Sequence, residues 1–180
     1  FKSENNYKIS LSWKNLKLNV AEISEWMSFI GVNKGDRVAA YMPNIPESVI
    51  AYLSTSTVGA IWSSCSPDFG VAGVIDRFSQ INPKVLFIGD KYFYNGKKIN
   101  ILERLPKILD AVPSIKKVVV VSYPGTKLEE KKARTDLYYW KDLTNKNKEK
   151  KINYVMSNFN DPLAILYSSG TTGKPKCICH

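Results

Sequence analysis

The sequence predicts an α/β fold with a mostly parallel sheet, because two hydrophobic periodicities alternate along its 180 residues. Apolar residues three or four positions apart indicate amphipathic helices, and short continuous apolar runs between turn residues indicate buried strands. The clearest strand is the valine run within residues 117–122. The clearest helix has apolar residues at regular helical spacing from Leu16 to Ile30, and Gly31 is a typical residue to end it.

The other elements follow from the same patterns. The predicted helices cover residues 16–30, 46–58, 71–81 and 101–112. The predicted strands cover residues 38–42, 60–63, 84–88, 117–122 and 163–167. Pro46 suits the first position of the second helix, and Ser66 or Asp68 is available to cap the third. This order of strands and helices is typical of parallel strands joined by helical crossovers.

Charged, aperiodic stretches lie at residues 123–135 and 144–151, on either side of the aromatic-rich segment "LYYWKDL". They interrupt the alternation of strands and helices, but apolar chain resumes at Leu163. We interpret the whole region as a surface excursion of one domain and not as a domain boundary.

The composition is that of a soluble globular domain, with 44% hydrophobic and 12% aromatic residues. The formal net charge of +10 arises from 22 lysines and only 4 arginines against 16 acidic residues. Nucleic-acid surfaces usually combine arginine with aromatic residues, so a solvated lysine-rich surface is favoured and no nucleic-acid partner is expected. A basic nucleic-acid-binding protein stays open as an alternative, which salt-sensitive retention on DNA would support.

Three cysteines and one histidine, without a CxxC pair, exclude a disulfide framework or a zinc site of usual spacing. They indicate a reducing compartment, and we expect the cytosol. The first residues lack the apolar core of a signal peptide. The longest uncharged run, residues 48–67, is too rich in serine and threonine for a lipid-facing helix. We expect buried α/β chain there and no membrane partner.

The segment "YSSGTTGKPKC", residues 167–177, follows the last predicted strand. Its glycines permit positive φ and let a ligand approach the backbone closely. Successive N–H groups can then converge on an anion, with hydroxyls as further donors and Lys176 as a point charge. Nucleotide polyphosphate suits such a loop, and a mobile polar turn is the alternative. A Walker A loop is excluded, because Pro175 occupies the place of its second glycine.

The same segment resembles the phosphate-binding signature of the adenylate-forming superfamily, which includes acyl-CoA synthetases, luciferases and the adenylation domains of peptide synthetases. Every position of that signature is filled from Tyr167 to Lys176: an aromatic residue, Ser/Thr-Ser-Gly-Thr-Thr-Gly, any residue, and Pro-Lys. The stretch "GVNKGDRVAAYMPNIPE" resembles an early part of such enzymes. Four further stretches are similar to the acetoacetyl-CoA synthetase (acetoacetate–CoA ligase) branch: "GAIWSSCSPDFG", "DRFSQINPKVLF", "YNGKK" and "PKCICH". Cys177, where most of the superfamily has glycine, also fits that branch.

The resemblance implies an ATP-dependent acid–thiol ligase that joins acetoacetate to CoA through an acyl-adenylate, with release of AMP and pyrophosphate. ATP, Mg²⁺ and CoA would be used, and the activity would belong to lipid and ketone-body metabolism. One loop would embrace the β- and γ-phosphates of ATP. Its residues are Ser168, Ser169, Gly170, Thr171, Thr172, Gly173 and Lys176. An acetate-type short-chain acyl-CoA synthetase is the alternative within the superfamily.

Other motifs of the superfamily are absent from the sequence, including the Tyr-Gly-x-Thr-Glu stretch whose glutamate helps to hold Mg²⁺. We therefore expect residues 1–180 to be an incomplete N-terminal AMP-binding (adenylation) domain that ends just after the phosphate-binding loop, with the C-terminal domain absent. No catalytic residue and no metal ligand is assigned within the chain, which we expect to be inactive alone. A truncated, non-catalytic homologue that keeps only nucleotide binding is a further alternative.

The remaining reactive or aromatic side chains are expected to have structural roles. Cys177 and Cys179 lie two positions apart on a presumed strand, and we expect buried small side chains there, not nucleophiles. His180 is expected to be packed or solvated. Trp62 and Phe69 are expected to belong to the core, and a wall near the acyl pocket is the alternative.

Overall fold

The computed structural model describes residues 1–128, 136–144, 151–168 and 173–180. The helices are α1 (Trp13–Phe29), α2 (Pro46–Thr57), α3 (Val71–Ile81), α4 (Leu105–Ala111) and α5 (Trp140–Leu143). The strands are β1 (Arg37–Tyr41), β2 (Ile61–Cys65), β3 (Val85–Gly89), β4 (Lys91–Tyr94), β5 (Lys97–Asn100), β6 (Lys117–Val121), β7 (Leu137–Tyr139), β8 (Ile165–Tyr167) and β9 (Cys177–Cys179). A short 3₁₀ turn, Leu102–Arg104, precedes α4.

Five strands form the main sheet, which is entirely parallel and has the order β2-β1-β3-β6-β7. At its centre, Val85 of β3 pairs with Val38 of β1 on one side and with Lys117 of β6 on the other. Every residue of β3 is buried, as expected for a strand covered on both faces. The predicted α/β fold with a mostly parallel sheet is confirmed.

Helices cover both faces of this sheet. The connections β1–α2–β2 and β2–α3–β3 run in opposite directions along the sheet, so right-handed crossovers place α2 and α3 on opposite faces. Consistently, α1 contacts α2 and α5, whereas α3 contacts α4. On the α1 side, Trp26 packs edge-on against Phe87 of β3, with ring centres 6.4 Å apart. The core therefore consists of two apolar layers that share β3.

The first two helices lie where they were predicted, although α1 begins three residues earlier, at Trp13. α1 begins after Ser12, whose hydroxyl accepts a hydrogen bond from the Asn15 N–H at 3.2 Å, and Gly31 follows its end with a φ of +80°. α2 begins at Pro46, as predicted. The uncharged run of residues 48–67 forms most of α2 and all of β2, which confirms its assignment as buried α/β chain. Within the described ranges, none of the helices is both long and apolar enough to cross a membrane.

The N-terminus of α3 differs from the prediction. Its N-cap is Gly70, which makes no side-chain capping bond. The prediction that Ser66 or Asp68 caps this helix is therefore wrong. The physical reason is that these two side chains bond to each other within the loop, where the Ser66 hydroxyl donates to the Asp68 carboxylate at 2.9 Å.

The aromatic-rich segment joins the main sheet. Its first part forms β7, which pairs in parallel with β6, and Tyr139 is buried. The interpretation of this segment as part of a surface excursion is therefore wrong, because three residues are too few to display a strand pattern. The flanking residues 129–135 and 145–150 lie outside the described part of the chain, so their interpretation stays a prediction.

A hairpin that the sequence analysis did not include follows β3. Its strands β4 and β5 are antiparallel and turn at Asn95 and Gly96, which have φ values of +50° and +73°. Asn-Gly is typical of tight hairpin turns with positive φ. An ion pair lies at the base of the hairpin, where Lys91 Nζ lies 3.1 Å from Asp90 Oδ2 and both side chains are buried.

Candidate functional site

The hairpin of β8 and β9 lies at the edge of the main sheet, beside β2. Trp62 of β2 forms a parallel bridge with Ala164, and the Trp62 N–H donates to the Leu163 carbonyl at 3.0 Å. β8 therefore runs in the same direction as β2 and ends at the carboxyl edge of the sheet. Ligands of open α/β sheets bind in the crevice outside this edge. The segment that connects β8 to β9, residues 168–176, thus begins where a ligand is expected.

The structure fixes both ends of this connection. Tyr167 pairs with Cys177 in the hairpin. One residue further out, the Ser168 N–H donates to the Lys176 carbonyl at 3.0 Å, and the Ser168 hydroxyl accepts from the Lys176 N–H at 3.3 Å. Gly173 has a φ of +102°, the backbone freedom for which glycine is expected in such a loop. We call the pair Ser168 and Lys176 the neck of the loop.

The predicted phosphate-binding residues are therefore located in part. Ser168 and Lys176 form the neck, and Gly173 lies just before its exit side. The others lie outside the described residues, and their contact with phosphate stays a prediction: Ser169, Gly170, Thr171 and Thr172. The Lys176 side chain is exposed.

Tyr167, the aromatic residue that opens the signature, is held by polar contacts. Its hydroxyl donates to the Arg77 carbonyl at 3.2 Å and lies 3.2 Å from the Ser63 hydroxyl. The Arg77 guanidinium carbon lies 5.6 Å from the centre of its ring. Burial raises the pKa of Tyr167, so its hydroxyl stays protonated at neutral pH. Contacts with β2 and α3 therefore hold Tyr167, at the entry to the loop, in place.

The neighbouring loop, residues 66–70, is held by two side chains from other elements. Arg104 Nη1 donates to the carbonyls of Pro67 and Phe69, at 3.0 and 3.1 Å, and also to the Tyr41 hydroxyl. Tyr41 in turn donates to the Phe69 carbonyl at 2.6 Å. Sequence reasoning missed Arg104 and Tyr41, because their partners are backbone carbonyls that no pattern of side chains reveals.

The two aromatic residues near this loop differ in environment. Trp62 is 8% exposed and belongs to the core, as predicted. Phe69 is 39% exposed, so its predicted place in the core is wrong; it packs instead against the Arg77 guanidinium, 4.0 Å from its ring centre. Trp62 and Tyr52 line a cleft of about 360 Å³ between α2 and the carboxyl ends of β1 and β2.

The three cysteines differ in environment. Cys65 is buried, and burial raises the pKa of its thiol to about 12, so it is protonated at neutral pH. Cys177 and Cys179 are exposed, so the prediction that they are buried is wrong. They lie on β9, which in the described part of the chain pairs with β8 alone. His180 is also exposed, as the prediction allowed, and its backbone N–H donates to the Ala164 carbonyl at 2.9 Å.

The donors around the loop suit an anion. The described ones are the Ser168 hydroxyl and the exposed ammonium groups of Lys174 and Lys176, which bind phosphate oxygens well. Among the described residues, no group of three or more histidine, cysteine, aspartate or glutamate side chains is arranged to hold a metal ion.

A parallel sheet with a glycine- and hydroxyl-rich loop at the carboxyl end of an edge strand defines an α/β protein with a candidate polyphosphate site. The chain belongs to the family of AMP-binding enzymes, whose model matches residues 4–180. The resemblance to the adenylate-forming superfamily is thereby confirmed.

Individual relatives are acetoacetyl-CoA synthetases. The chain is 40% identical to the one from Macaca fascicularis, over 96% of this chain and 26% of that protein. It is 42% identical to the one from Xenopus tropicalis, over 98% of this chain and 27% of that protein. The solved structure of acetoacetyl-CoA synthetase from Streptomyces lividans superposes with a TM-score of 0.89 at 37% identity, covering 98% of this chain and 26% of that one. The chain therefore spans about a quarter of the length of the relatives that it matches.

Proposed function

We propose that the chain is part of an ATP-dependent acid–thiol ligase that converts acetoacetate and CoA to acetoacetyl-CoA. One observation carries the proposal: the signature is complete in the sequence, and its described residues, 167–168 and 173–176, lie at the carboxyl edge of the sheet. Similarity to acetoacetyl-CoA synthetases, 40–42% identical over nearly the whole chain, supports the choice of acid.

The proposed role of the loop is to hold the β- and γ-phosphates of ATP while pyrophosphate leaves. Glycines let backbone N–H groups approach the phosphates, hydroxyls add donors, and Lys176 stabilises the negative charge that accumulates on the leaving group. The residues assigned to this role are Ser168, Ser169, Gly170, Thr171, Thr172, Gly173 and Lys176. A carboxylate is a poor electrophile, so adenylation activates the acid before the thiol of CoA displaces AMP.

ATP and CoA are the proposed co-substrates, and Mg²⁺ would accompany ATP. The hydroxyl, amide and ammonium donors of the loop fit phosphate oxygens, whereas Mg²⁺ requires oxygen ligands and is usually bound through one or two carboxylates. Near the described part of the loop, the Asp76 carboxylate already lies 3.6 Å from Lys174 Nζ. We therefore assign no Mg²⁺ ligand in this chain.

We further propose that residues 1–180 form the first part of the AMP-binding domain of a longer ligase. The ligase would act on small molecules and would be located in the cytosol. Its role would be in lipid and ketone-body metabolism. The share of the matched relatives that the chain covers, 26–27%, supports this assignment.

A product assay tests the proposal by comparing the full-length protein that contains this chain with the 180-residue chain alone. With ATP, CoA and acetoacetate, the full-length protein is expected to form acetoacetyl-CoA and to release equal amounts of AMP and pyrophosphate. The isolated chain is expected to form none. A preference for acetate would keep the ligase class but replace the acid, and the absence of any thioester would favour a non-catalytic homologue.

A further inference from the structure

Helix α3 touches the exit side of the loop through one glutamine. The side-chain amide of Gln80 donates from Nε2 to the Pro175 carbonyl at 2.9 Å and to the Asp76 carbonyl of its own helix at 2.6 Å. At the other end of the same amide, the Cys177 thiol lies 3.6 Å from Gln80 Oε1. One side chain therefore contacts two residues, on either side of Lys176, of the segment that leaves the loop.

The same helix also touches the entry side of the loop. The Tyr167 hydroxyl donates to the Arg77 carbonyl, and the Arg77 guanidinium lies over the Tyr167 ring. Residues 76, 77 and 80 lie close together on one side of a helix. α3 thus contacts the chain on both sides of the neck.

The β9 side of the hairpin has little other support. β8 is held to β2, where the Ser63 hydroxyl donates to the Ile165 carbonyl at 2.9 Å, whereas in the described part of the chain β9 pairs with β8 alone. β8 and β9 pair over only three residues each, and a short two-stranded hairpin is marginally stable by itself in water. The central side chains of the two strands, Leu166 and Ile178, are exposed, so they bury little apolar surface. The contact between Lys174 and Asp76 contributes little, because 75% of the lysine side chain is exposed to solvent.

We propose that α3 is a platform for the phosphate-binding loop and that Gln80 is its principal positioning residue. The amide of Gln80 keeps the exit segment at a fixed distance from the entry segment, which fixes the spacing of the neck. Its role in nucleotide binding rests on the function proposed above, whereas its effect on the neck does not.

The test uses the full-length protein with Gln80→Met, which keeps the length of the side chain but removes its donor and acceptor. Gln80→Ala is the second variant, and Ser79→Ala is the matched control. Ser79 is the exposed neighbour of Gln80 on the same helix. The thermal midpoint of each variant is measured first, to show that the variants are folded.

The first readout is the rate of tryptic cleavage between Lys176 and Cys177, without nucleotide. The bond after Lys174 resists trypsin because Pro175 follows it. Loss of the Gln80 hydrogen bonds is expected to raise the cleavage rate about two- to tenfold in both Gln80 variants, because cleavage follows the population of the open neck. Ser79→Ala is expected to match the unmodified protein.

The second readout is exchange of labelled pyrophosphate into ATP. Both Gln80 variants are expected to lower kcat/KM for pyrophosphate about two- to tenfold with the KM for acetoacetate unchanged. An unchanged cleavage rate in the Gln80 variants, or an equal increase in Ser79→Ala, would overturn the proposal that α3 supports the loop. Faster cleavage with unaltered exchange would overturn the positioning role. If the unmodified protein shows no exchange, the proposed function fails, while the cleavage rates still decide whether Gln80 holds the neck.

Discussion

Replacing Lys176 with alanine is expected to slow acetoacetate-dependent formation of the acyl-adenylate by about 100-fold. The Lys176 ammonium is exposed beside the neck of the loop, and within the described part of the chain it makes no ion pair. It is therefore available to a phosphate oxygen as a point charge. The measurement is the rate of pyrophosphate exchange into ATP at saturating acetoacetate.

The second half-reaction provides an internal comparison. Conversion of chemically prepared acetoacetyl-adenylate to the thioester is expected to change by less than about threefold in Lys176→Ala, because pyrophosphate has already left. Lys174→Ala is the matched control, since Lys174 lies two residues away and pairs with Asp76. Equal losses of exchange in the two variants would contradict a specific contact by Lys176 and indicate a general effect of positive charge.

Replacing Lys91 with methionine is expected to lower the free energy of unfolding by about 3–5 kcal/mol. The side chains of Lys91 and Asp90 are only 9% and 4% exposed, and Asp90 Oδ1 accepts from the Tyr123 N–H at 2.9 Å. Removal of the ammonium leaves a buried carboxylate without its cationic partner. It also removes the hydrogen bond from Lys91 Nζ to the Lys127 carbonyl, at 3.0 Å. The urea midpoint of the full-length protein measures the effect.

Two further variants show whether burial is the cause. The double variant Asp90→Asn with Lys91→Met is expected to recover most of the loss, because the uncompensated charge is gone. Lys84→Met breaks a comparable ion pair with Asp36, 2.9 Å long but with side chains 36% and 27% exposed, and is expected to cost about 1 kcal/mol or less. Similar losses from Lys84→Met and Lys91→Met would show that burial of the ion pair is not the cause.

The parts of the fold with sustained periodicity were predictable from the sequence. The apolar residues of α3 recur along one face, and every residue of β3 is buried. The sequence therefore shows helical spacing in the first and a continuous apolar run in the second. β7 could not be predicted in this way, since its three residues form a strand only because β6 offers a free edge. The β4–β5 hairpin was predictable from Asn95-Gly96, a dipeptide typical of tight hairpin turns, although its strands do not form a continuous apolar run.

In the candidate site, too, local features were predictable from the sequence and tertiary contacts were not. The position of the loop was predictable, because its residues are contiguous and follow an apolar strand, whereas its contact with phosphate stays a prediction. The exposure of Cys177 could not be predicted from the sequence, because it depends on what packs against β9 and not on the strand itself. Arg104 and Gln80 act on carbonyl groups of distant residues, Phe69 and Pro175, so their roles follow from the tertiary structure alone.

The most direct test of the central claim is pyrophosphate exchange into ATP by the full-length protein that contains this chain, with acetoacetate and acetate compared at equal concentration. Exchange is expected to depend on acetoacetate and to be much weaker with acetate. Equal or faster exchange with acetate would contradict the assigned acid, and absence of exchange with both would contradict the adenylation activity itself.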